Sequence, residues 1–208
     1  MCTLLERIET AGPGSKARRL VFDDGLDPRL TSAAAVKELH LEPGMELTRE
    51  TLEDSLKQIE YTLARERALR LLGYREHSSS ELRRKLLDNG YPADVAAAVT
   101  DRFVDVELVD DRRFALIWTR SRLAAGYGPR RIEQELTQRG IDPILIEETF
   151  AETVDPATEV ARARDALRGR VAADRAGRDK LVRRLVSRGF SLAVALGALE
   201  VDEDADCC

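Results

Sequence analysis

Leu82-x3-Leu86-x3-Gly90, Ile132-x3-Leu136-x3-Gly140 and Leu181-x3-Leu185-x3-Gly189 are one pattern written three times. The glycines stand 50 and 49 residues apart. Apolar residues spaced i, i+4 share one face of a helix. A glycine four residues later supplies the left-handed stop that other residues adopt only at a cost. Each segment has a start signal before it. Ser78-Ser79-Ser80-Glu81 offers a capping box, Gly128-Pro129 puts proline in a first turn, and Gly177-Arg178-Asp179 follows a breaker. Two residues after each glycine comes another start: Pro92, Asp142 (before Pro143) and Ser191. These open second helices expected over 94–103, 143–153 and 192–199. Longer helical stretches precede the segments, over 64–72, 111–125 and 158–171. Each unit therefore reads as three helices, and the unit occurs three times.

Three such helices bury little alone, so stacked units must share cores. The expected fold is all-α: three tandem three-helix repeats over 61–107, 108–155 and 156–201, forming an elongated curved body. Residues 1–60 form a small N-terminal segment of short strands and helix, and 202–208 an acidic tail. In the N-terminal segment, Leu20-Val21-Phe22 is a strand signal and Asp23-Asp24-Gly25 a turn. Thr31 or Ser32 can cap a helix through 33–39, and Glu42-Pro43-Gly44 turns into an extended Met45-Glu46-Leu47. Thr51 starts a helix with Leu52, Leu56, Ile59 and Leu63 on one face, running into the first repeat. Residues 1–17 and 202–208 are expected to be mobile.

The chain has 208 residues, 43% apolar, 34% charged and 5% aromatic, with one Trp. That composition favours helical cores over large sandwiches or barrels. No apolar run approaches the roughly 18–20 residues that span a bilayer. The start, Met1 to Arg7, has no apolar core of a secretory signal. Cys2, Cys207 and Cys208 sit at the ends with no Cys-x-x-Cys pair, against a disulfide framework or zinc finger. The expectation is a cytoplasmic monomer without cofactor or membrane contact.

Chemistry is sparse. His40 and His77 stand in unrelated contexts, and His77, beside the serine cap, reads as a surface residue rather than a general base. No phosphate-cradling glycine motif is present, and Gly126-Tyr127-Gly128-Pro129 reads as a helix-to-helix turn. Asp110-Asp111 could invite a metal, but acids also favour a helix N-terminus. No constellation for catalysis emerges.

Charge offers more. The net charge is −5, with 28 of the 33 basic residues Arg, yet residues 162–188 hold ten basic and three acidic residues. The central unit carries Arg112, Arg113, Arg120 and Arg122 on its long helix and Arg130, Arg131 and Arg139 on the next. With Ile132 and Leu136 inward, Arg131 and Gln138 point away and Arg139 flanks the buried stripe. Arg83, Arg84 and Lys85 in the first unit and Arg183 and Arg184 in the third hold comparable places. Such a ladder of cations suits an acidic groove or a phosphate backbone. Trp118 and Tyr127 could stack on a base or a partner, although Trp118 reads first as core.

The run Leu108-Val109-Asp110-Asp111-Arg112-Arg113-Phe114-Ala115 continues through Trp118, Arg120, Arg122, Gly126 to Ile132, Glu135-Leu136 and Arg139-Gly140-Ile141. It closely resembles the RecX family of bacterial RecA regulators. Ala68-Leu69-x-Leu71-Leu72 and Ser78-x-x-Glu81-Leu82-x-x-Lys85-Leu86 resemble that family's first repeat. The resemblance spans about residues 61–200 and is strongest over 108–141. It implies a non-catalytic protein that binds in the groove of the RecA filament on single-stranded DNA. Such binding would modulate, usually inhibit, RecA's ATP hydrolysis, strand exchange and co-protease action in recombination and SOS repair. A stand-alone module binding single-stranded DNA directly stays open as the alternative.

Overall fold

The structure, a computed structural model, describes residues 2–200 and divides into two compact units, one ending at Asp110 and the other starting at Asp111. The expected acidic tail, with Cys207 and Cys208, lies outside the described residues.

The first unit opens with a sheet. Strands β1 (Cys2–Thr10), β2 (Ala17–Phe22), β3 (Arg29–Ser32) and β4 (Glu46–Thr48) form four antiparallel strands in the order β3-β2-β1-β4. The chain is thus mostly helical rather than all-α, and residues 2–10 are a central strand instead of a mobile start. The sequence concealed β1 because its apolar alternation breaks. Leu5 and Ile8 both pack toward the core although they are three apart. A bulge between Leu5 and Arg7 shifts the register and reverses the parity between them. Of the other short elements, β2, β4 and α1 (Ala33–Glu38) fall where expected, whereas β3 has no counterpart in the sequence reading. Ser32 caps α1, its hydroxyl accepting from the Ala35 N–H at 3.1 Å.

Helix α2 (Arg49–Leu72) then serves two cores. Its first half packs Leu52 and Leu56 on the sheet with Leu5, Leu20, Phe22, Ala35 and Leu41. Its second half packs Ala64, Ala68 and Leu71 against α3 (Ser79–Asp88) and α4 (Ala93–Asp105), through Leu82, Leu86, Val95, Val99 and Phe103. Glu60 stands between the two cores and is fully buried. Its carboxylate accepts from the Thr31 hydroxyl at 2.5 Å and the Ser32 N–H at 3.1 Å, with Arg29 3.8 Å away. Burial still pushes this carboxyl above its ordinary value.

The second unit holds two helix groups. The first is α5 (Asp111–Ala124), α6 (Pro129–Gln138) and α7 (Pro143–Thr153), around Phe114, Ala115, Ile132, Leu136, Ile141 and Ile146. A 3-10 turn at Pro156–Thr158 leads to the second, α8 (Glu159–Ala166), α9 (Arg175–Ser187) and α10 (Leu192–Gly197). Its core is Ala163, Leu167, Leu181, Leu185, Phe190 and Ala195. The paired apolar residues of the three segments lie buried on α3, α6 and α9. Pro92, Asp142 and Ser191 stand as N-caps of the helices after them.

Two boundaries in the third segment differ from expectation. Helix α9 starts at Arg175, because Asp174 caps it by accepting from the Gly177 N–H at 2.7 Å. Gly177 is therefore inside the first turn, not before it. Helix α8 ends at Ala166 rather than near 171, because Arg168 and Gly169 both turn left-handed, at φ 52° and 72°.

The glycine that ends α9 joins the two groups of the second unit. Gly189 has φ 96°, and a Cβ placed on it would lie 2.4 Å from the Arg131 backbone nitrogen. A Cβ on Gly128 would meet the Gly189 carbonyl carbon at the same 2.4 Å. Two backbone hydrogen bonds cross here: Gly128 N–H to the Arg188 carbonyl at 2.9 Å and Arg130 N–H to the Gly189 carbonyl at 3.1 Å. The second satisfies an N–H that helix α6, without a capping side chain, leaves unpaired.

Gly189→Ala is expected to cost about 2–4 kcal/mol, from left-handed strain plus backbone overlap. Gly169→Ala, with φ 72° but nothing within 4 Å, should cost only about 1 kcal/mol. Urea unfolding of both variants measures the difference, and equal costs would show that the close approach contributes nothing.

Candidate functional site

Helix periodicity builds a cluster of cations and aromatics in the second unit. Phe114, Trp118 and Arg122 follow at i, i+4 on α5, and Arg131, Glu135 and Arg139 do so across α6 and its C-cap. The Glu135 carboxylate, half-buried, organises them. Oε2 accepts from the Trp118 indole N–H at 3.0 Å and from Arg122 Nε at 2.7 Å, and Oε1 from Arg131 Nε at 3.2 Å. Arg139 donates to the Glu135 carbonyl at 2.9 Å.

The rings take the guanidinium faces. Arg139 lies 3.7 Å and Arg122 4.4 Å from the Trp118 ring centre, while Phe114 stacks on the same ring at 5.8 Å. Tyr127 is approached by Arg122 at 5.3 Å, Arg131 at 5.5 Å and Arg188 at 5.7 Å. Arg188 also donates to the Gly126 carbonyl at 3.1 Å. Two guanidiniums, Arg122 and Arg131, thus share one carboxylate, while Arg139 and Arg188 donate to backbone carbonyls. Trp118, read as core, is half-buried: it packs on the core and holds charge on its outer side.

Arg188 and Glu135 were absent from the candidate residues. Arg188 was legible in principle, since Arg139-Gly140 and Arg188-Gly189 occupy the same place in the repeat. Glu135 looked like one more exposed acid until tertiary contacts gave it three donors.

The remaining candidates scatter. Arg112 pairs with Glu148 at 2.9 Å and Glu152 at 3.5 Å, and Arg120 with Glu152 at 3.2 Å, so α7 neutralises them. Arg113 is half-buried on α5. Arg130 is exposed and carries no ion pair among the described residues. Arg183 donates to the Asp179 carbonyl at 3.2 Å, and Arg184 is half-buried on α9. In the first unit Arg83 pairs with Asp101 at 2.8 Å, Arg84 is exposed, and Lys85 is half-buried.

The ladder needs correction. Aligned on the buried pairs, Arg84 matches Arg183 and Lys85 matches Arg184, but the central unit has Gln134 and Glu135 there. Arg130 and Arg131 lie a turn earlier, in the first turn of α6. The central cations are therefore not the same rung as the outer ones.

The titratable group in the first unit is structural. His77 is buried, not at the surface, and its Nδ1 lies 3.1 Å from Glu81 Oε2. Arg75 donates to both Glu81 oxygens, at 2.6 and 3.1 Å. Burial raises the Glu81 carboxyl, but hydrogen bonds and charge from Arg75 and His77 outweigh it and hold the group at about 2. Burial pushes His77 below its ordinary value. Among the described residues no group of three His, Cys, Asp or Glu could hold a metal ion, and no helix is long and apolar enough to cross a membrane.

Two outcomes follow. A depressed carboxylate stabilises the fold above its unfolded value of about 4.5, and that stability is lost as pH falls through about 2. Glu81→Gln should flatten this acid limb in unfolding measured against pH. Glu135→Ala strands three donors and should cost about 1–3 kcal/mol. The single Trp118 reports that unfolding by fluorescence, and an unchanged midpoint would remove Glu135 as organiser.

The family model described as "RecX, first three-helix domain" matches residues 64–103, and "RecX, second three-helix domain" matches residues 110–149. "Regulatory protein RecX" of Mycobacterium sp. (strain KMS) is 42% identical over 144 residues, covering 64% of this chain and 78% of that protein. "Regulatory protein RecX" of Xanthomonas axonopodis pv. citri (strain 306) is 42% identical over 129 residues, covering 60% and 78%. The solved "Crystal structure of regulatory protein RecX" shares the fold with a TM-score of 0.60 at 20% identity, over 94% of this chain and 98% of that one. On these matches, and on the helix groups and cationic cluster that carry the same residues, the chain belongs to the RecX family of regulatory proteins.

Proposed function

We propose that the chain is a non-catalytic regulator that binds the RecA filament on DNA, in its helical groove, and inhibits RecA's ATP hydrolysis, strand exchange and co-protease action. Membership of the RecX family is the observation that carries this reading. The finer architecture belongs to the same proposal: three tandem three-helix units present successive cationic surfaces to a repeating partner. A repeating partner rewards several modest contacts more than one strong contact, because each later contact forms at high effective concentration. A ligand that favours one filament state shifts the filament by its difference in affinity for the two states. The chain acts as a monomer in the cytoplasm.

The cations that can meet an acidic protein surface are the exposed ones without ion pairs among the described residues, above all Arg84 and Arg130. Arg122, Arg131 and Arg139 are committed to Glu135 and the rings, so their part is to hold the cluster in shape. The alternative of a base-stacking module for bare DNA is less favoured, because Trp118 already carries two guanidiniums and Phe114.

Equilibrium binding to RecA–single-stranded-DNA filaments, compared with the same DNA bare, checks the reading, with RecA ATP hydrolysis followed in parallel. Preference for filament with falling hydrolysis is expected. Arg84→Glu with Arg130→Glu should weaken inhibition by about tenfold or more, at roughly 1 kcal/mol per lost contact. Equal binding to bare DNA, with hydrolysis lost only as RecA is displaced, would sink it.

A further inference from the structure

The two helix groups of the second unit handle their arginines in opposite ways. On α5 and α6 the guanidiniums of Arg112, Arg120, Arg122 and Arg131 all meet carboxylates. Across α8 and α9, ten cations between residues 162 and 188 face three acids in sequence. There Arg178 reaches a carboxylate, Glu200, at 3.8 Å. The others with a partner use backbone carbonyls: Arg162 on Asp155 at 3.2 Å, Arg164 on Ala198 at 3.4 Å, Arg170 on Leu167 at 3.3 Å, Arg183 on Asp179 at 3.2 Å, and Arg188 on Gly126 at 3.1 Å. A carbonyl fixes a guanidinium in place and leaves its charge uncompensated.

Three of these cations converge. A cleft of about 390 Å³ opens between the end of α5 and α8, lined by Leu123, Gly126, Ala166, Arg162, Arg168 and Arg188, with Asp165 as the one acid. Among the described residues no carboxylate, Asp165 included, lies within ion-pair distance of Arg162, Arg168 or Arg188. Arg162, one of the lining side chains, has its Nε buried with no hydrogen-bond partner among the described residues. Arg168 keeps a left-handed backbone at φ 52°, a strained conformation for a residue with a side chain. Gathered cations without counter-charges repel one another, and an anion in the cleft relieves that repulsion.

We propose that this cleft binds the phosphodiester backbone of single-stranded DNA, with Arg162 and Arg168 as the phosphate contacts and Arg188 as the wall behind them. A polyanion fits better than a single carboxylate because the surplus charge continues beyond the cleft along α8 and α9. The proposal deepens the filament reading and rests on it for the source of the strand, which is the DNA on which RecA assembles. The site lies between the second and third helix groups and shares Arg188 with the cluster around Tyr127.

The test uses the full chain and a labelled oligothymidylate, with binding followed by fluorescence anisotropy at several salt concentrations. Arg162→Gln with Arg168→Gln should weaken binding about 25-fold at about 0.1 M salt and lower the salt slope by ~1.4, since each lost phosphate contact weighs ~0.7. Arg112→Gln with Arg120→Gln, which removes paired arginines, should leave both unchanged. Circular dichroism checks folding. If the double variant misfolds, Arg168→Gln alone, whose side chain holds no other group among the described residues, should still weaken binding about fivefold. No binding by the unaltered chain, an unchanged slope in a folded variant, or equal loss from the α5 pair would overturn the site. RecA ATP hydrolysis measured alongside separates the two readings. Loss of oligonucleotide binding in the variant, with an unaltered chain that never affects RecA, supports the cleft and sinks the filament reading. Full inhibition of RecA, with slopes identical in variant and parent, does the reverse.

Discussion

The second unit depends on one close approach between backbones. Gly189 ends α9 in a left-handed turn and presses its carbonyl against the first turn of α6. Gly128, lacking a side chain, leaves room for it. Helix α6 has no side-chain N-cap, so the carbonyl from the next helix group takes that role. One contact therefore terminates one helix, starts another and brings Arg188 beside Tyr127. The first unit repeats the device with a different partner. Gly90, which ends α3, would overlap the Lys16 and Ala17 backbone if it carried a Cβ, and Lys16 reaches Asn89 beside it at 3.1 Å. At Gly90 and Gly189 the glycine of the repeat thus does two jobs, a helix stop and a docking point.

Charge follows from this packing. Helices α5 and α7 face each other, so Arg112 and Arg120 find Glu148 and Glu152 across the gap. Helices α5 and α6 meet around Glu135, which three donors share. The third group has few acids to offer, and its arginines settle on carbonyls. A chain with net charge −5 can still carry a locally positive stretch, over 162–188, because screening and neutralisation act locally rather than on the sum.

Much of the fold was legible. Ser78, Asp142 and Ser191 cap as their types require, and the expected range 143–153 coincides with α7. The long helix from near Thr51 into the first repeat is α2. Strand β1 was hidden because its bulge breaks the two-residue alternation on which strand reading rests. His77 looked exposed because a polar residue beside serines resembles a loop, and only the packed chain gives it Glu81 as a partner. The candidate arginines could be named from the sequence, but sequence position could not say which had counter-charges.

The sequence by itself determined the helices, their caps, their glycine stops and the period of about fifty residues, because spacing, capping chemistry and backbone freedom act within a few residues of one another. It also carried the family, through the run from Leu108 to Ile141. Only the tertiary structure decided which cations are neutralised, which hold aromatic rings, and which stand open around a cleft. Those outcomes hang on distances between groups far apart in sequence, 62 residues for Gly126 and Arg188, and a guanidinium's availability is set by what the fold brings beside it.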